Sequence, residues 1–287
     1  MKDKMNFFAL ENNHFSDESY KRITSLIYQK TGLFFGENSR FFLEKRVELR
    51  LTSLNLKSLE DYFRYLMFDS ESEKEWDILI TTITTNETYF MREERQLKCF
   101  KDDILPEIVR KNSGKKIRIW SAGCSSGEEP YTIAILVKES RCIPENLVEI
   151  FATDINSRVI NKAKEGIYGE SSFRTVDDSF KVKWFVPEGN QKWRIKDEIK
   201  SKVIFQRFNL FELERYALLG NFDVIFCRNV IIYFDMEAKV KVVERFYDKL
   251  NNGGYLLLGH SESLISITEK FKLIHLPSDL VYRKENQ

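Results

Sequence analysis

The chain has 287 residues, 43% of them hydrophobic and 14% aromatic, which fills one large core or two modest ones and excludes a disordered protein. Its 45 basic residues nearly cancel 44 acidic ones, so no whole-molecule attraction to nucleic acid or anionic membrane is expected, only local basic surface. No apolar run approaches the roughly 18 residues of a membrane span, and Met1 to Leu10 lack the apolar core of a secretory leader, so a soluble, cytoplasmic protein is expected.

The first elements are helical. Apolar residues recur at three- and four-residue spacing over Tyr20 to Lys30, Ser39 to Leu54 and Leu59 to Phe68, with Ser16 and Ser58 as N-caps, and this texture runs to about Ile80. On the second segment, at about 100° per residue, Leu43, Val47, Leu51 and Leu54 share one side, Phe42 and Leu49 widen the apolar arc, and Glu44, Lys45 and Glu48 form a solvated opposite face. Arg46 and Arg50 fall inside the arc, where a long basic side chain needs either a buried partner or a wet cleft.

After Lys111 strands and helices alternate: Lys116 to Trp120, Glu128 to Ser140, Val148 to Thr153, Ser157 to Glu165. That order implies a parallel sheet with helices on its faces. The alternation resumes with Val203 to Phe208, Phe222 to Cys227, a helix from Met236 to Leu250, and a strand from Tyr255 to Leu258 after a turn at Asn252-Gly253-Gly254. Phe271 to His275 and Leu280 to Arg283 read as an antiparallel pair closing the sheet. Between Phe173 and Lys202, Val182 to Val186 and Lys192 to Ile195 flank Pro187 and Gly189, the pattern of an inserted hairpin subdomain.

Polar or small residues stand at three strand ends. The first strand enters Ser121-Ala122-Gly123-Cys124-Ser125-Ser126-Gly127-Glu128-Glu129-Pro130, a loop that lets a ligand approach the backbone, although its glycines do not match G-x-G-x-x-G and an ordinary tight turn is the simpler reading. The second ends at Asp154, placed either to accept hydrogen bonds from ribose hydroxyls or to cap the next helix. The strand ending at Cys227 runs into Arg228-Asn229-Val230-Ile231-Ile232-Tyr233. Together these favour a nucleoside crevice at the carboxyl edge of the sheet. Cys99, Cys124, Cys142 and Cys227 are widely spaced and the histidines are His14, His260 and His275 alone, so no metal site, disulfide framework or imidazole-dependent nucleophile is expected.

Several blocks carry a family resemblance. Thr84-Thr85-Asn86-Glu87-Thr88-Tyr89-Phe90-Met91-Arg92-Glu93, Ile119 to Gly123 with Gly127 to Tyr131, Ala152-Thr153-Asp154-Ile155, Phe222 to Val230 with Ile232-Tyr233-Phe234, and Gly259-His260-Ser261-Glu262-Ser263 resemble, in family order, the signature blocks of CheR-type chemotaxis receptor (protein-glutamate O-) methyltransferases. The resemblance implies an α/β, Rossmann-like S-adenosylmethionine methyltransferase domain over 85–287, with a small antiparallel β-subdomain inserted at about 173–202, preceded by an all-α domain over 1–84. It implies that Asn86, Thr88, Arg92, Glu129, Asp154, Asn209, Leu210, Arg228 and Asn229 hold S-adenosylmethionine, and that Arg92 and Tyr233 face the transferred methyl group. It implies methylation of glutamates on the cytoplasmic methylation helices of chemoreceptors, with S-adenosylhomocysteine as product and Arg46 and Arg50 on the substrate side. A monomer without nucleic-acid partner or direct membrane insertion is expected. Some family members dock a receptor tether on the insertion; here Val186-Pro187-Glu188-Gly189-Asn190-Gln191-Lys192 departs from that pattern, and tether binding is not expected.

Such a transfer suits the composition. A glutamate is already ionised at neutral pH, its reference pKa being about 4.3, so no general base is required. Opposite charges meet and vanish during the transfer, which calls for alignment in a dry cleft. Two other readings stay open on residues alone: an NAD-dependent dehydrogenase, from the spacing of Gly127 and Asp154, and a signalling module that keeps the fold without activity.

Overall fold

The computed structural model describes residues 15–111 and 114–285. The chain divides into two compact units, one of residues up to Lys30 plus Phe34–Ile83, the other of Thr31–Leu33 plus Thr84 onward.

The first unit is built from α1 (Asp17–Thr31), α2 (Arg40–Ser53), α3 (Leu59–Phe68) and α4 (Ser72–Ile83). Ser16 and Ser58 cap α1 and α3, accepting from Ser19 N at 3.1 Å and Asp61 N at 3.2 Å. The buried residues repeat at helical spacing: Tyr20, Ile23 and Ile27 on α1, Leu43 and Val47 on α2, Tyr62, Phe63 and Leu66 on α3, Trp76, Leu79, Ile80 and Ile83 on α4. Two expectations for α2 are corrected. Glu44 is buried, where it accepts from Arg40 Nε at 2.8 Å, and Leu49 is 56% exposed. A salt-bridged carboxylate can turn inward, which an apolar periodicity does not register.

In the second unit, α5 (Glu94–Cys99), a π-helical segment (Phe100–Ile104) and α6 (Leu105–Lys111) precede β1 (Ile117–Ala122). Then follow α7 (Glu128–Ser140), β2 (Val148–Asp154), α8 (Ser157–Glu165), β3 (Ile167–Gly169), α9 (Asp178–Trp184), β4 (Phe185–Pro187), β5 (Lys192–Ile195), α10 (Asp197–Lys200), β6 (Val203–Arg207), β7 (Phe222–Cys227), α11 (Met236–Lys249), β8 (Leu250–Leu258), β9 (Phe271–His275) and β10 (Leu280–Lys284). The large sheet has the order β6-β2-β1-β7-β8-β10-β9. Its first five strands are parallel and β10 runs antiparallel to both neighbours. From β1 the chain winds outward through β2 to β6, then restarts on the other side with β7, so the strand order reverses between β1 and β7. Central strands covered on both faces need continuous apolar runs, and Ile117, Ile119, Trp120 and Ala122 are all buried. Trp120 sits edge-on to Phe246 and tilted over Phe222, with Nε1 donating to Thr153 Oγ1 at 2.9 Å.

The inserted antiparallel subdomain contains the expected hairpin, β4 paired with β5 across the Gly189 turn, but is larger and starts its strand later than the sequence pattern suggests. It is a separate three-stranded sheet, β3-β5-β4, that begins at Ile167, and Val182 to Trp184 are helical. The reason is local: Asp177 accepts from Phe180 N at 2.9 Å, capping α9 and delaying the strand to Phe185. Phe90 anchors this sheet, packing on Tyr168, Phe173 and Phe185 at centroid distances of 4.9, 5.2 and 4.9 Å. Asn252 to Gly254 also differ, lying within β8 as a bulge; pairing starts at Leu250 opposite Phe222, and Gly253 at φ +77° absorbs the register shift. Among the described residues no helix is long and apolar enough to cross a membrane.

Candidate functional site: a cavity at the reversal of strand order

The loop after β1 is held by its own backbone. Gly123 N and Cys124 N both donate to Thr153 O at 2.8 Å, and Gly123 takes φ +85°, where a Cβ would collide with Val230. Ser125 N donates to Asp154 Oδ2 at 2.8 Å and Asn156 N to Oδ1 at 2.9 Å, so the Asp154 carboxylate is gripped from two sides. Burial pushes its pKa above the ordinary aspartate value, against the pull of these backbone donors. The cap of α8 is Asn156, which accepts from Arg158 N and Val159 N, leaving Asp154 turned to the cavity.

Beneath the loop, Arg228 at the end of β7 has 2% of its side chain exposed and lies among carboxylates. Its Nη1 reaches Glu129 Oε2 at 3.1 Å; its Nη2 reaches Glu93 Oε2 at 3.1 Å and Arg92 O at 2.5 Å. Glu129 also accepts from Ser121 Oγ at 2.8 Å. Burial raises the Glu129 pKa; at Glu93 burial is also the largest single influence, but the charge and hydrogen bond of Arg228 together with His260 outweigh it and lower the pKa. Arg92 stands between Met91 and Glu93, both non-glycine residues with positive φ (60° and 55°), a strained backbone of the kind found at functional sites.

Asn229 follows at φ +58° and is fixed by a residue that sequence reasoning left without a role. Glu262 accepts four backbone N–H groups, from Asn229 and Gly259 at 2.7 Å each on Oε2, and from Val230 at 2.9 Å and Ile232 at 3.3 Å on Oε1. Glu262 stands in the last signature block, but three of its four partners lie about thirty positions upstream, beyond local periodicity. Burial raises its pKa despite these donors. Glu93 was likewise missed, being one more charge in the acidic and basic run that opens α5.

Asn86, Thr88, Arg92, Glu129, Asp154, Arg228, Asn229 and Tyr233 line one cavity of about 200 Å³, with Gly123, Cys124 and Ser125 in its wall. It opens at the carboxyl ends of β1, β2 and β7, where the strand order reverses, the place such sheets bind ligands. Asn209 and Leu210 are buried beyond β6 and are not in this lining; Asn209 Oδ1 accepts from Phe211 N at 3.0 Å. Arg46 and Arg50 belong to the helical unit. Arg50 has the partner inside the chain: Nε and Nη2 donate to Glu75 at 2.9 and 2.7 Å, and Tyr62 Oη donates to the same carboxylate at 2.7 Å. This corrects the expectation that it faces substrate. Arg46 lies 5.1 Å from the Phe42 ring centre, and no carboxylate pairs with it among the described residues.

The cavity fits a nucleoside-bearing sulfonium cofactor. Among the described residues Asn229 Oδ1 is buried with no hydrogen-bond partner, an acceptor left for a ligand, and the lining carboxylates of Glu87, Glu129 and Asp154 outnumber Arg92 and Arg228, which suits a cation. Fold and site define an S-adenosylmethionine-dependent methyltransferase. The chain belongs to the CheR methyltransferase family: the all-alpha domain of that family matches residues 18–84 and its SAM binding domain matches residues 86–280. It is similar to chemotaxis protein methyltransferase 2 of Vibrio cholerae, at 38% identity over 95% of this chain and 94% of that one. It is also similar to the chemotaxis protein methyltransferase of Borreliella burgdorferi, at 36% identity over 92% and 94% of the two chains. Chemotaxis protein methyltransferase Cher2 of Pseudomonas putida is 31% identical over 92% and 97%.

Proposed function

We propose that the protein transfers a methyl group from S-adenosylmethionine to glutamate side chains on the cytoplasmic methylation helices of chemoreceptors, giving glutamate methyl esters and S-adenosylhomocysteine. The supporting observation is the convergence of Asn86, Thr88, Arg92, Glu129, Asp154, Arg228, Asn229 and Tyr233 on one cavity, in a chain of this family. The cofactor supplies a methyl carbon made electrophilic by its sulfonium. Asp154 accepts the ribose hydroxyls, while Glu129, Arg228 and Asn229, with Asn86 and Thr88, hold the rest of the cofactor. Arg92 and Tyr233 orient the attacking carboxylate. Arg92 is tethered through Nη1 to Glu87 O at 2.7 Å, which limits how tightly it pairs with the nucleophile and so keeps the carboxylate reactive. Asn209 and Leu210 support the cofactor side from beyond β6.

Residues 1–84 serve as the substrate-facing domain and 85–287 as the catalytic domain of a cytoplasmic monomer. Arg46 is kept as a substrate contact and Arg50 is assigned to structure. The single-glycine turn at Gly189 leaves the insertion without a receptor tether.

Labelled methyl from S-adenosylmethionine should pass to membranes containing a chemoreceptor and be released by mild base as expected of an ester. Base-stable label, or none, would overturn the reading. Tyr233→Phe should lower kcat while leaving S-adenosylhomocysteine affinity within a few-fold, and a loss of binding instead would place Tyr233 in the wrong role.

A further inference from the structure

Beside the cavity mouth a second guanidinium is held in place, and its partner is a glutamate of the chain itself. Phe90 N donates to Ser172 O at 2.9 Å and Phe90 O accepts from Thr175 Oγ1 at 2.8 Å, while the Phe90 ring stacks on Phe173 with an interplanar angle of 15°. These contacts pin residues 172–175 of the insertion to the segment carrying the first signature block. Arg174, between the two hydrogen bonds, lies with its guanidinium 3.8 Å from the centre of the Tyr89 ring and Nη2 2.5 Å from Glu87 Oε1. Tyr89 and Glu87 both line the cavity, and Glu87 is the residue whose carbonyl holds Arg92.

The two contacts differ in kind, one made to the ring of Tyr89 and the other to a carboxylate open to water. A guanidinium laid on an aromatic face is oriented by that ring whichever carboxylate it meets. The ion pair is open to water, with side-chain exposures of 45% for Arg174 and 62% for Glu87, and exposed pairs of this kind contribute little net stability. Arg174 is therefore fixed in position while its anion is exchangeable. Replacing one carboxylate by another keeps the guanidinium compensated, and the displaced Glu87 carboxylate, already open to water, is solvated instead.

We propose that Glu87 occupies, in the resting enzyme, the place of a second substrate carboxylate, and that Arg174 binds a glutamate neighbouring the methylated one on the incoming helix as Glu87 swings aside. The inference rests on the protein-glutamate methyltransferase reading above. Arg174 then acts on substrate recognition, next to Arg92 and Tyr233 but on a different carboxylate.

The two partners should respond with opposite signs. With membranes containing a chemoreceptor as substrate, Arg174→Gln should raise the KM for receptor about tenfold with kcat within about twofold, because a charge-assisted bond to substrate is lost. Glu87→Gln, which removes the internal competitor, should lower that KM about two- to threefold. An ion pair that merely supports the fold would move both variants in the same direction. Calorimetry with S-adenosylhomocysteine should find Arg174→Gln folded and binding as the wild type does. Shifts of the same sign, or no shift in either variant while the wild type methylates receptor, would overturn the inference and leave the proposed function standing. A wild type that transfers no methyl to receptor would remove both.

Discussion

Asp154 and Asn156 divide the end of β2 between two tasks. Asn156 caps α8, so Asp154 keeps its carboxylate for the cavity, held by two backbone N–H groups. Asp154→Asn should weaken S-adenosylhomocysteine binding by about 1–3 kcal/mol in calorimetry, since an amide is a poorer acceptor for two hydroxyls. The same residue carries a pH dependence. Its folded pKa is raised by burial, so on acidification the folded protein takes up this proton before the unfolded chain does. Protonation of Asp154 therefore favours folding as the pH falls, while its capacity to accept from the cofactor is weakened. Affinity for S-adenosylhomocysteine should decline at pH values above the ordinary aspartate range, and Asp154→Asn should flatten that decline. A matching decline in the variant would assign it to another group. Glu262 offers a second test. In Glu262→Gln the amide nitrogen must face two backbone donors that the carboxylate satisfied, at a cost of about 1–3 kcal/mol, and the displaced strand end carries Asn229 and Tyr233. Turnover and thermal stability should fall together; a variant with unchanged kcat would show that the loop holds its shape without this carboxylate.

At the scale of elements, α2 shows how one apolar arc can carry two arginines with different fates. Arg50 is a fork on Glu75, whose side chain is 2% exposed, with Tyr62 on the same carboxylate, so removing the cation strands a buried charge. Arg50→Met should destabilise the protein by about 3–5 kcal/mol in urea unfolding. Arg46 has no such partner among the described residues, and Arg46→Glu should leave stability within about 0.5 kcal/mol while raising the KM for receptor. Equal stability losses in the two variants would mean that Arg46 too is structural. The insertion also carries a local polar contact of this kind: Asp177 caps α9, and Val182 to Trp184, which read as the start of a strand, are helical before β4 begins at Phe185 against Phe90.

For the whole molecule, every residue lining the cavity belongs to the unit that begins at Thr84. A chain cut to residues 84–287 should therefore bind S-adenosylhomocysteine within a few-fold of the full chain while losing receptor methylation. Lost binding in a folded truncation would mean that Thr31–Leu33, which belong to the same unit and pair Leu33 with Phe234, are needed for the site. The sequence alone was sufficient for the helix-then-alternating order, for the strand ends that carry Gly123, Asp154 and Arg228, and for the family, because hydrophobic period and contiguous motifs are local properties of the chain. Tertiary structure alone decided that Glu262 gathers three N–H groups from about thirty residues away, that Glu93 shares Arg228 with Glu129, that Arg50 is neutralised by Glu75, and that Arg174 comes to rest on Tyr89. Each of those is a charge finding a partner distant in sequence, and the charge pattern along a chain does not encode which partner the fold will bring within reach.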